Sequence, residues 1–62
     1  MKILIDQIRK KQNLTQDELA KLSGVSKRCI RNYSTGKVDP ALSILKKLAD
    51  ALDVQVSDLF VE

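Results

Sequence analysis

Lys27, Arg28, Arg31 and Asn32 fall within six consecutive positions, Lys37 follows, and no acidic residue lies between 27 and 37. The Arg28 guanidinium can donate two parallel hydrogen bonds to guanine N7 and O6, and the Asn32 carboxamide can pair in a similar manner with adenine. Ammonium groups neutralise phosphates. The chemistry on offer is recognition of a nucleic acid rather than the making of bonds. The chain has no His, no Trp and one cysteine, Cys29. That removes most of the usual equipment for metal binding and for acid–base catalysis near neutral pH. We expect no enzyme, no metal and no cofactor.

The net charge of +3 over 62 residues is a weak pointer by itself. Its distribution says more. The segment from Lys27 to Lys37 holds four basic residues, while the remainder holds seven basic and eight acidic. All of the excess charge therefore sits in one short stretch. A lone thiol and no long apolar run fit a reducing cytoplasm and no membrane, since Asp6 interrupts the apolar start at Met1–Ile5. A chain of this length is expected to form one domain, spanning 1–62, and to bury only about 60% of its unfolded surface.

Reading groups need a rigid support. Apolar residues recur at helical spacing almost throughout, and no segment alternates with period two, so the fold is expected to be all-α. Leu4, Ile5 and Ile8 make the inner face of a first helix that breaks near Asn13. Leu14 precedes Thr15-Gln16-Asp17-Glu18, a capping box that starts a second helix carrying Leu19, Ala20 and Leu22. Gly24 ends it, and Ser26 caps a third helix whose inner face is Ile30 and Tyr33. Lys27, Arg28, Arg31 and Asn32 then point outward. Gly36 ends the third helix, and Asp39-Pro40 reads as the start of a fourth that buries Leu42, Leu45, Leu48, Ala49 and Leu52. Val54, Val56, Leu59 and Phe60 suggest a short fifth helix. A small residue at Ala20, the turn at Gly24 and the lock of Val25, Ile30 and Tyr33 together describe a helix-turn-helix. Lys27 and Arg28 oppose the dipole of the third helix, at a cost of roughly 0.3–1 kcal/mol each; phosphates and guanine edges facing them would explain it. Cys29 reads as a small residue packed on the second helix, and Tyr33 as core.

These features carry a family resemblance. Through Ile8-Arg9, Leu14-Thr15-Gln16, Leu19-Ala20, Gly24-Val25-Ser26, Ile30, Gly36-Lys37, Pro40 and Leu48-Ala49-Asp50-Ala51-Leu52, residues 5–60 resemble the phage repressor and Cro family, the XRE-type helix-turn-helix proteins. The resemblance implies a compact five-helix domain of lambda-repressor-like type, bacterial or phage-encoded, whose third helix enters the DNA major groove. It implies a regulator, in the first instance a repressor, bound as a dimer to a pseudo-palindromic operator. In the family, positions matching Lys27, Arg28 and Asn32 touch bases, and Arg31 suits either a base or a phosphate. Gln16, Lys37 and the backbone amide of Thr35 correspond to phosphate contacts.

Two departures stand out. Relatives often carry Glu at the position of Ser34, paired with an Arg at the position of Arg9. Because a buried unpaired Arg is costly, Arg9 is expected to be partly exposed or paired elsewhere, a phosphate being one destination. Asp53 replaces a frequent Gly at the end of the fourth helix, and Gln55 a frequent capping Ser. Val54, Val56 and Val61 either close the core or contact a second copy. Alternative roles are an antitoxin or controller protein of a two-gene system, with a protein partner, and a protein-interaction domain without DNA binding.

Overall fold

The computed structural model describes residues 1–62. In chain order, a two-residue strand β1 (Lys2–Ile3) leads into helices α1 (Ile5–Lys11), α2 (Gln16–Ser23), α3 (Lys27–Ser34) and α4 (Leu42–Leu52). A 3-10 turn (Val56–Leu59) and a second short strand, β2 (Phe60–Val61), complete it. The expected all-α, five-helix fold is corrected on two points. Val56–Leu59 is a single 3-10 turn, and β1 pairs antiparallel with β2, Lys2 opposite Val61 and Ile3 opposite Phe60. The Leu4 N–H continues that pairing by donating to the Leu59 carbonyl at 2.7 Å.

The starts of α2 and α3 follow from their caps. Thr15 Oγ1 accepts from the Glu18 N–H at 3.1 Å, and Glu18 Oε1 accepts from the Thr15 N–H at 2.9 Å. These hydrogen bonds to Thr15 hold the Glu18 carboxyl below its ordinary pKa. Ser26 Oγ accepts from the Cys29 N–H at 3.2 Å. Between the two helices, Ser23 Oγ donates to the Leu19 carbonyl at 2.8 Å and accepts from the Val25 N–H at 3.1 Å. That hydroxyl closes the turn.

Each helix ends on a residue of positive φ: Asn13 at 60°, Gly24 at 75°, Gly36 at 81° and Asp53 at 56°. After α3, the Lys37 N–H donates to the Asn32 carbonyl at 3.0 Å and the Gly36 N–H to the Tyr33 carbonyl at 3.2 Å. This is a Schellman closure. Leu14 and Asn13 repeat it after α1, and Val54 and Asp53 after α4.

α4 begins at Leu42 with Ala41 as an N-cap lacking a side-chain bond. The expected Asp39-Pro40 start is therefore corrected: Pro40 is buried in the connecting loop ahead of the helix. The core comprises Ile5, Leu19, Val25, Ile30, Tyr33, Leu45, Leu48, Ala49, Leu52 and Leu59. Leu22 and Leu42, expected inside, are each 61% exposed. Leu42 opens α4 ahead of the stripe Leu45–Leu48–Ala49–Leu52, which has the spacing of one buried face.

Candidate nucleic-acid interface

The inner face of α3 is fixed by Ile30, fully buried, and Tyr33, nearly so. Burial pushes the Tyr33 phenol up from its ordinary pKa, with Cys29 one turn earlier adding to the effect. Cys29 is half-buried against the core. With that face locked, Lys27, Arg28 and Arg31 are exposed and Asn32 is half-buried. These four line one groove together with Lys37, which the Schellman closure turns back beside the helix. Five residues singled out from sequence are thus brought together. Gln16 is half-buried in an adjoining shallow groove, with Thr15, Asp17 and Lys27 on its walls. Lys27 borders both grooves.

Two expected phosphate ligands are otherwise engaged. The Thr35 backbone N–H donates to the Arg31 carbonyl at 3.0 Å and completes the last turn of α3. The Arg9 side chain is only 11% exposed. Its Nε and one terminal nitrogen donate to Asp6 Oδ1 at 3.1 and 3.0 Å, and the other terminal nitrogen donates to the Leu14 carbonyl at 2.8 Å. Asp6 thus supplies the counter-charge, and Ser34 leaves no arginine unpaired. Sequence reasoning missed Asp6, although its spacing of three residues from Arg9 on one helix was a usable signal.

Asp17 was missed as well. Its Oδ1 lies 3.3 Å from Lys27 Nζ, an ion pair linking the first turn of α2 to the first turn of α3. Both side chains are more than half exposed, at 56% for Lys27 and 67% for Asp17. The first turn of α3 contains no acid of its own, so Asp17 supplies the negative charge that this end of the helix would favour.

Val54 and Val56 are half-buried against the core while Val61 is 49% exposed on β2. No helix is long and apolar enough to cross a membrane.

Residues 5–59 match the helix-turn-helix family. An uncharacterised HTH-type transcriptional regulator of Methanocaldococcus jannaschii is 39% identical over 61 residues, covering 98% of this chain and 92% of that protein. The immunity repressor protein of Bacillus phage phi105 is 36% identical over 58 residues, covering 94% of this chain and 40% of the repressor. Among solved structures, the restriction-modification controller protein C.AhdI of Aeromonas hydrophila superposes with a TM-score of 0.86 at 32% identity, covering 90% of this chain and 85% of that one.

Proposed function

This chain belongs to the helix-turn-helix family of DNA-binding transcription regulators, and we propose that it is a sequence-specific repressor occupying a pseudo-palindromic operator as a homodimer. The observation that carries this reading is the outer face of α3, where Lys27, Arg28, Arg31 and Asn32 stand exposed or half-exposed on a helix whose inner face is locked. In this reading α3 lies in the major groove. Arg28 and Asn32 read guanine and adenine edges, Lys27 reads a neighbouring base, and Arg31 meets a base or a phosphate. Gln16 and Lys37 hold phosphates. One such helix spans few base pairs, so two copies bind half-sites separated by roughly 34 Å, one turn of DNA. Val54, Val56 and Val61 form the face joining them. The phi105 immunity repressor among the relatives supports the repressor role.

Selection of bound sequences from a randomised duplex pool tests the reading and supplies the site. On that site Arg28→Ala or Asn32→Ala should cost about 1–3 kcal/mol and relax the choice of one base pair. Lys37→Ala should weaken selected and scrambled duplexes alike and flatten the log–log salt slope by about 0.9. Identical behaviour of Arg28→Ala and Lys37→Ala on both duplexes would overturn this division of roles.

The likeness to a restriction-modification controller protein favours a second reading, control of a two-gene system. It requires the selected site to recur upstream of this chain's own gene and a functionally coupled neighbour. A protein that co-purifies with the chain would extend it to an antitoxin.

A further inference from the structure

We propose that Asp17 is a positioning residue for sequence discrimination: it tethers the Lys27 ammonium across the turn, so that Lys27 reads a base edge instead of neutralising the nearest phosphate. The inference rests on the reading of α3 as the DNA-reading helix.

The observation is the ion pair itself. Lys27 Nζ lies 3.3 Å from Asp17 Oδ1 and 3.4 Å from Oδ2. The two residues occupy the first turns of successive helices, each started by a side-chain cap at Thr15 or Ser26. Both backbones are thus fixed at capped helix starts, within reach of the Lys27 side chain. In water an exposed pair of this kind contributes little to stability. Against DNA its meaning changes, because excluding water strengthens the Coulomb attraction.

A tethered lysine differs from a free one in two respects. Paired with a carboxylate, it adds almost nothing to the release of counterions, which drives binding to any sequence. Its three N–H donors are not all consumed by Asp17, so at least one remains for an acceptor on a base. Arg28, Arg31 and Lys37 have no carboxylate within ion-pair distance. Lys37, together with Arg31 where it meets a phosphate, supplies the general attraction. Lys27 is the one cation of the reading groove from which that attraction is subtracted.

The test uses the full chain, the selected duplex and a scrambled duplex of equal length, with affinity measured over a range of salt. Thermal unfolding checks that each variant is folded. Asp17→Asn should tighten the scrambled duplex and steepen its salt slope by about 0.9, as Lys27 becomes free to neutralise a phosphate. The preference for the selected duplex should fall about tenfold. Lys27→Met should lower the preference likewise, by relaxing the base pair that Lys27 reads. Adding Asp17→Asn to Lys27→Met should change the preference less than twofold, and Asp17→Glu should retain it. The proposal fails if Asp17→Asn shifts both duplexes by one common factor. It also fails if Asp17→Asn lowers the preference equally with and without Lys27. A wild-type chain with no preference between the duplexes would instead overturn the DNA-reading premise, and this proposal with it.

Discussion

The Ser34 hydroxyl is a buried oxygen without a hydrogen-bond partner, in the last turn of α3, the proposed reading helix. An unsatisfied buried hydroxyl sacrifices its hydration for nothing, and alanine is the better helix former. Ser34→Ala should therefore raise stability by about 1 kcal/mol, read from the midpoint of urea unfolding at unchanged slope. A loss would mean that the oxygen is satisfied after all. The same position shows how a residue can be read correctly and its neighbourhood still be missed. The family resemblance signals an absent acid at Ser34 and an Arg9 in need of a partner. Asp6 meets that need from one turn earlier on α1, with the Leu14 carbonyl as a second acceptor. A pair on one helix is legible from spacing. The Asp17–Lys27 pair is ten residues apart across a turn, and becomes visible only when α2 and α3 are set against one another.

At the scale of elements, the four helices share one manner of ending, on a residue in the left-handed region. Gly24 and Gly36 adopt it without steric cost, whereas a residue with a Cβ is penalised by roughly 1–2 kcal/mol, less for Asn and Asp. Asp53→Gly, at φ 56°, should remove that penalty. Part of the gain returns to the more flexible unfolded chain, leaving an increase of about 0.5–1 kcal/mol, measured by thermal or urea unfolding. DNA affinity should be unchanged, since Asp53 lies outside the proposed reading groove. Local hydrogen bonding made most of this architecture legible in advance. Thr15 with Glu18, Ser26, Gly24 and Gly36 mark boundaries through contacts within a few residues, and they bound the helices that present the candidate site. Where partners are remote, the sequence misleads. Strands of two residues are too short to alternate, so nothing announced that Lys2 meets Val61. Asp39-Pro40 has the composition of a helix start, but Pro40 is buried in the loop and the helix begins two residues later. Leu22 and Leu42 fit an apolar stripe by type, yet α2 and α4 turn them toward solvent.

For the whole molecule, the proposed reading groove and the exposed Val61 of the proposed joining face lie on different elements, so the two proposed roles can be tested separately. Val61→Asp should leave the folded chain intact, because the side chain is already 49% exposed. On the proposed homodimer it should abolish the self-association that sedimentation of the wild type is expected to show. It should also weaken binding to a palindromic duplex while leaving a single half-site unaffected. Unchanged sedimentation would remove Val61 from the proposed joining face. The β1–β2 pairing has a topological consequence of its own. By setting Lys2 against Val61, it brings the two ends of the fold side by side, so a short flexible linker could make the backbone a closed ring. New ends could then be opened between Val38 and Asp39, both exposed in the loop before α4. A circularly permuted domain of this kind would run from α4 through the joined β2 and β1 to α3, carrying the proposed reading helix last.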